Sequence, residues 1–434
     1  MTVTPTTVML PAHGTQQFVA SVTGAADTRV TWKVDEPRGV GGVDSSGLYT
    51  APGLAGTYHV VVTSVADGSR SARATVHVPA AGGPPKPMPV ISRNAPAFAS
   101  SGTDAGAAND DDYHSVWRSS GSTPVWIAYD ISRVPAAERG LAVVAWYADT
   151  LDLSYVDRGD HYAGLPQLYT IDAHAAPGGG SPPPEGDPGW VRLAEATSPN
   201  AHSSRQHVVN LTEQTTVYNW IRMRVTSISS AAGNADIALN LDVHDAQRGI
   251  EDDWIFFGDS ITAAGLSHEP RGDLCFSQII QASSPAFFPA QQDGGVSGWS
   301  SPDAVANVPR WLDEFSGRYV GLSFGTNDAS WVTPDQFYAN YETLVQAVIR
   351  AGKTPVVPTI PWNRRPSAGN IPALNAKLAT LSAVYPQIVN GPDLWAFFQN
   401  NQSLISNDDT HPTEAGFVAY RRLWAEAMLA GVYR

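Results

Sequence analysis

The 434-residue chain contains one cysteine, Cys275. A single thiol closes no intramolecular disulfide and offers no thiolate cluster to zinc. A lone Cys of this kind reads as a small hydrophobe rather than a nucleophile. Blocks of Lys or Arg are also absent. Lys and Arg number 27 against 41 Asp and Glu, a formal net charge of -14, so no positive face is offered to nucleic acid or an anionic membrane. No apolar run approaches the ~20 residues that a membrane span requires. The opening MTVTPTTVML has neither a basic start nor a long apolar stretch, so no signal peptide is visible. We expect a trimmed mature form carrying an added Met, hence a secreted protein.

What the chain does contain is core-forming material. It is 43% hydrophobic and 16% charged, too apolar for a disordered chain, and its 38 Gly and 33 Pro imply many turns. At roughly 150 residues per domain the length suggests about three domains. Residues 1–79 read as short strands. In RVTWKV the alternation puts Val30, Trp32 and Val34 on one face, and TYHVVVTSV and ARATVHV continue the pattern between turn clusters. These stretches resemble bacterial immunoglobulin-like domains, which implies a β-sandwich scaffold rather than a chemistry. PAAGGPPKPMP then reads as a linker over 80–89 that offers nothing to bury.

Strands return over 90–249 in TPVWIAYDI, LAVVAWYA, LPQLYTIDA, QHVVNL, NWIRMRVTSI and ADIALNLDV, with APGGGSPPPEGDPG as a long exposed loop. Their order resembles discoidin-like, galactose-binding jelly rolls. That resemblance implies a second all-β sandwich able to contact carbohydrate, sometimes with a structural calcium near an acidic loop. Asp110, Asp111 and Asp112 fit such a loop, and equally a solvated acidic turn.

From residue 250 to 434 strands alternate with helices. WIFFGD, RYVGLSFG and TPVVPTI are strand-like. Between the last two, Thr333 suits an N-cap, Pro334 a first helical turn and Gly352 a helix stop. Phe337, Tyr341, Leu344, Val345, Val348 and Ile349 mark one face. EAGFVAYRRLWAEAML makes a last helix. The pattern predicts an α/β/α three-layer domain on a parallel sheet, with reactive groups in loops at the carboxyl ends of the strands.

Ser260 lies just past the first of those ends, in IFFGDSIT. Gly258 permits a sharp turn there, and the following helix would aim backbone N–H groups at the serine oxygen. Taken alone the stretch reads equally well as a strand running into a capped turn. A nucleophilic serine needs a base. Of 11 histidines only His268 and His411 follow residue 250. His411 lies in NDDTHPTEAGF with Asp408 three residues before it, so a helical turn would face carboxylate to imidazole. Asp409 is a rival for that role, and both acids also suit the amino end of the last helix. His268 has no such partner and reads as a surface residue. Donors for an oxyanion have two candidates: the backbone N–H of Gly298 in GGVSGWS, and the side-chain amide of Asn327 in SFGTND.

GDSIT, GVSGWS, GTND and DDTH, in this order from Trp254 to the C-terminus, are similar to the four blocks of SGNH hydrolases, the GDSL family. Ile261 stands where the name-giving block has Leu. Asp293 lies near where an Asn often precedes the Gly of the second block. No Gly-x-Ser-x-Gly elbow occurs, which counts against an ordinary α/β-hydrolase.

The resemblance implies a flavodoxin-like parallel sheet. It makes Ser260 the nucleophile, His411 the base and Asp408 its orienting acid, with Gly298, Asn327 and Ser260's own N–H as the oxyanion hole. It implies no metal and no organic cofactor. Two sandwiches ahead of such a region resemble modular carbohydrate esterases, so the expected substrate is an O-acetyl ester on a polysaccharide or oligosaccharide. Trp299, Trp331 and Trp362 are then candidate sugar contacts, though each equally suits core packing. The rivals are a broad short-chain esterase, lipase-like but without an apolar lid, and a carbohydrate-binding or adhesion protein with an inactive hydrolase domain.

Overall fold

The computed structural model describes residues 1–36, 41–53, 56–79, 83–148, 164–197, 203–229, 236–267 and 273–434. In the first region Thr7–Met9, Ser71–Val78, Gly56–Ser64 and Val30–Val34 lie side by side in one sheet. Thr15–Gln17, Leu48–Thr50 and Gly42–Val43 form a second. As the alternation predicts, Val30, Trp32 and Val34 are half-buried while Thr31 and Lys33 are exposed. Tyr49, Tyr58, Val60, Val62, Ala74 and Val76 fill the core behind them.

The middle region holds a five-stranded and a four-stranded sheet, both antiparallel. Their inward faces share one core, with Ile127, Ile171 and Met223 from the first sheet against Val144, Trp146 and Leu241 from the second. Leu141–Ala148 is buried along its whole length. Its second face is covered as well: Leu141 and Val143 join the first region's core, while Ala145 and Tyr147 pack on Cys275 and Phe288 of the last region. That double burial explains why LAVVAWYA reads as an unbroken apolar run.

One expectation is corrected in this part of the chain. Met88 is completely buried and its carbonyl accepts from His244 Nδ1 at 3.0 Å, so the described end of the linker is seated on the middle region. The loop after His174 is exposed along most of its length, as expected, and is tied down at two points. Trp190 lies over the Arg222 guanidinium, 3.9 Å from ring centre to charge, and Gly179 N–H donates to Asp130.

The last region is three-layered. Five parallel strands, β1 (Asp253–Gly258), β2 (Ala290–Gly295), β3 (Tyr319–Ser323), β4 (Thr354–Val357) and β5 (Val389–Asn390), stand in the order β2-β1-β3-β4-β5. Among the described residues seven helices cover them: α1 (Ser260–Gly265), α2 (Phe276–Ser283), α3 (Ser301–Leu312), α4 (Pro334–Arg350), α5 (Ile371–Val384), α6 (Leu394–Asn400) and α7 (Glu414–Gly431). Period-two alternation along β1 divides the layers. Ile255 and Phe257 face the core under α3, α4 and α5, while Trp254 and Phe256 face the core under α2, α6 and α7. Helix α4 follows its expected signals, with the Thr333 side chain accepting from Gln336 N–H and Gly352 at φ +67° beyond its end. Among the described residues no helix is long and apolar enough to cross a membrane.

Candidate active site

Three neighbouring strands end at one level, since Gly258 of β1 is the register partner of Gly295 in β2 and of Ser323 in β3. Ser260, Gly298 and Asn327 follow those three residues by two, three and four positions. The sheet order thus brings loops that are distant in sequence to one edge, at the carboxyl ends where open α/β sheets bind ligands.

At the end of β1 only glycine fits. A Cβ on Gly258 would lie 2.0 Å from Thr262 Oγ1 and 2.9 Å from the Ser323 carbonyl. Asp259 caps α1, its carboxylate accepting from Ile261 N–H at 2.9 Å, and burial pushes that carboxyl up to about 7. Ser260 opens the helix and is half-buried.

Ser260 Oγ lies 2.7 Å from His411 Nε2, and His411 Nδ1 lies 2.6 Å from Asp408 Oδ2. A proton on Nδ1 directed at the carboxylate leaves Nε2 as an acceptor facing the hydroxyl. Asp408 Oδ1 accepts from the backbone N–H groups of Thr410 and His411, each at 2.9 Å, and from Ser406 Oγ at 2.7 Å. Partial burial would raise this carboxyl, but the bonds from His411, Ser406 and Thr410 outweigh it and hold the group well below the usual carboxylate range.

The i, i+3 approach is made by a turn rather than by the helical turn the spacing suggested, with Asp409 at φ +65°. Asp409 instead bonds Arg364, its Oδ1 accepting from Arg364 Nε at 2.7 Å. The amino end of α7 uses neither acid as its cap. Thr413 caps it and Glu414 occupies its first turn. His268 lies outside the described residues.

Gly298 is exposed at φ +80°, a conformation that favours glycine, in the loop between β2 and α3. The Asn327 side-chain amide donates to the Trp299 carbonyl at 2.8 Å, tying the two donor loops together. The end of β3 is pinned in turn by Tyr341 of α4, whose hydroxyl accepts from Phe324 N–H at 2.8 Å. Sequence reasoning missed Asp328. It is fully buried, with its carboxyl raised by that burial, and it accepts from the Ser301 N–H at 3.0 Å and from the Ser301 hydroxyl. Asn340 Nδ2 donates to the same hydroxyl at 2.9 Å. The start of α3 is thereby bolted to the Asn327 loop. The only sequence signal for it is an Asp directly after the Asn of GTND.

The three tryptophans have different surroundings. Trp299 is half-buried and stacked on Trp311, ring centres 5.1 Å apart and planes 9° from parallel. Trp362 is half-buried against the core that contains Ile261 and Phe417. Trp331, four residues after Asn327, is 64% exposed.

Elsewhere, Asp110 accepts from Asp112 N–H and Ser115 Oγ, Asp112 accepts from His114, and Asp111 pairs with Arg93. The acidic loop thus binds its own turn and a neighbouring cation. Cys275 is completely buried, and burial pushes its thiol up to about 12, which suits the apolar role expected of it.

Residues 256–419 match the model of the GDSL-like Lipase/Acylhydrolase family. No curated protein matches the sequence. Among solved structures, the chain is similar to the lipase/acylhydrolase from Enterococcus faecalis, at 20% identity and a TM-score of 0.34, covering 41% of this chain and 95% of that one. It is also similar to the acetylxylan esterase Axe2 from Geobacillus stearothermophilus, at 19% identity and a TM-score of 0.33, covering 41% of this chain and 93% of that one. At these scores the likenesses say nothing of what this chain acts on. The family match joins the parallel sheet and the order of the four blocks: the C-terminal part of the chain is an SGNH/GDSL hydrolase domain.

Proposed function

We propose that the chain is a serine esterase that removes short acyl groups, foremost acetyl, from the hydroxyls of a polysaccharide or oligosaccharide. The observation that carries the reading is the unbroken hydrogen-bonded line from Ser260 Oγ through His411 to Asp408 at the carboxyl edge of the sheet. In the reaction, His411 Nε2 takes the Ser260 proton as Oγ attacks the ester carbonyl. The N–H groups of Ser260 and Gly298 and the Asn327 amide receive the oxyanion. His411 then returns the proton to the departing sugar hydroxyl, leaving an acyl-serine. Water attacks that ester with His411 again as base, and the carboxylic acid leaves. Asp408 holds the imidazole in the required tautomer and stabilises its cation.

The sugar part of the reading is supported by Trp331, a large exposed ring four residues from Asn327, of the kind that stacks on pyranose faces. We read residues 1–79 as an immunoglobulin-like spacer and 90–249 as a galactose-binding-like jelly roll that adds polysaccharide contact. A polymeric substrate implies an extracellular setting. The test is acetate release from acetylated xylan, pectin, mannan and chito-oligosaccharides, with Ser260→Ala as control. Release from at least one polymer, abolished in Ser260→Ala, is expected. Release from none, alongside good turnover of simple aryl acetates, would leave a generic short-chain esterase.

A further inference from the structure

Arg364 belongs to none of the four sequence blocks, yet it bonds the stretch leading to His411 at several points. Its Nε donates to Asp409 Oδ1 at 2.7 Å, its Nη1 to the Gln402 carbonyl at 3.0 Å, and its Nη2 to the carbonyls of Ile405, at 3.0 Å, and Ser406. Its backbone N–H donates to the Asp409 carbonyl at 2.9 Å. Every one of these acceptors lies between residues 402 and 409. A guanidinium carries five N–H donors in a rigid fork, and four of them are committed to this one stretch, so the side chain is occupied although 31% of it is exposed.

The stretch it grips is the one that aims Asp408. Ser406, whose carbonyl Arg364 holds, donates its Oγ to Asp408 Oδ1 at 2.7 Å, and its N–H donates to the His411 carbonyl at 2.8 Å. Asp409 stands at φ +65°, a left-handed conformation that Asp tolerates better than most non-glycine residues and that its neighbours hold in place. Arg364 engages both the carboxylate and the carbonyl of that residue. An exposed Arg–Asp pair alone would contribute little. The carbonyls of Gln402, Ile405 and Ser406 on one side of Asp408, with the Asp409 carboxylate on the other, make the side chain a clamp. Lysine, a point charge without a fork, cannot span the same acceptors.

We propose that Arg364 is a positioning residue that fixes the 402–409 turn so that Asp408 meets His411 and His411 meets Ser260. This inference rests on the reading of those three residues as the reacting line. The experiment compares the full chain with Ser260→Ala, Arg364→Ala and Arg364→Lys on 4-nitrophenyl acetate, with thermal unfolding measured in parallel. For Arg364→Ala, kcat falls by about 10- to 100-fold, the scale of a small misplacement of reacting groups, and KM stays within about twofold. Guanidinium ion below denaturing concentration restores part of the lost kcat in Arg364→Ala and none in Ser260→Ala. Arg364→Lys does not recover the wild-type value. Wild-type kcat in Arg364→Ala, or a loss confined to KM with no response to guanidinium, overturns the inference. If Arg364→Ala fails to fold, Arg364→Lys decides: lowered kcat at unchanged KM supports the clamp, and wild-type kcat refutes it. Turnover by Ser260→Ala would instead bring down the reading of the reacting line. An inactive Ser260→Ala beside an unimpaired Arg364→Ala removes the clamp alone.

Discussion

Asp293 and Ser204 meet across the boundary between the middle β region and the hydrolase domain, the Asp293 N–H donating to Ser204 Oγ at 2.8 Å. The carboxylate is held on both sides as well, by Ser203 Oγ at 3.1 Å and by Gly295 N–H at 2.8 Å. The residue near the position where the family often has Asn is therefore a joint between the β region and the strand that leads to Gly298. Burial pushes the Asp293 carboxyl from 3.8 up to about 7. A carboxyl raised in the folded state keeps a proton that the unfolded chain has released, so its stabilising contribution is present below about 4 and is lost as pH rises through 7. Asp252 and Asp259 are raised to about 7 in the same way, so a variant is needed to isolate Asp293. The unfolding temperature of the wild type, relative to Asp293→Asn, is expected to fall as pH goes from 4 to 8, by the equivalent of up to roughly 4 kcal/mol. A difference that stays constant with pH would mean that the buried carboxyl does not titrate in this window.

Replacing Asp408 by Asn should fold normally and lower kcat by roughly 10³–10⁴-fold, because an amide facing His411 Nδ1 favours the wrong tautomer. Asp409→Asn serves as the comparison, since Asp409 faces Arg364 instead. Steady-state kinetics on an aryl acetate decide between them. If Asp409→Asn suffered the larger loss in kcat, the orienting role would pass to Asp409.

Asn327 donates its side-chain amide to the Trp299 carbonyl, and the proposed reaction asks the same amide to meet the oxyanion. Its replacement by Ala is expected to lower kcat by about 10²–10³-fold, the usual cost of one missing donor. KM for a small ester should change far less, since the ground-state carbonyl makes little use of that donor. A loss below about tenfold would remove Asn327 from the oxyanion-stabilising set.

The features legible in the sequence are those with a local signature. Thr333, Pro334 and Gly352 bracket α4 because caps and stops act within a turn of the residue itself. Trp254 to Phe257 read as a strand because a short unbroken apolar run stopped by Gly258 marks a strand buried on both faces. Asp408 and His411 pair across three residues, and their link to Ser260 comes from the small choice of histidines after residue 250 and from the order of the family blocks. What stayed hidden depends on partners far along the chain. Arg364 acts on carbonyls about forty positions downstream, and a carbonyl leaves no trace in residue identity. Asp328 meets Ser301 across 27 residues. The seating of Met88, and which regions cover the two faces of Leu141–Ala148, arise from how the regions pack together, which the apolar run itself does not report.

Trp331 gives the substrate proposal its sharpest test among the tryptophans. Trp299 is committed to Trp311 and Trp362 to the core beneath it, so removing either disturbs packing as well as any ligand contact. Trp331 is 64% exposed, so truncating it to Ala should leave the unfolding temperature nearly unchanged. A ring stacked on a sugar contributes on the order of 1 kcal/mol, which corresponds to a rise in KM of about fivefold for an acetylated oligosaccharide. An aryl acetate has no sugar to stack, so its kcat and KM should match the wild type. Equal losses on both substrates would place Trp331 in the service of the Asn327 loop. No loss on either would remove it from the substrate site, and sugar recognition would then have to come from another surface.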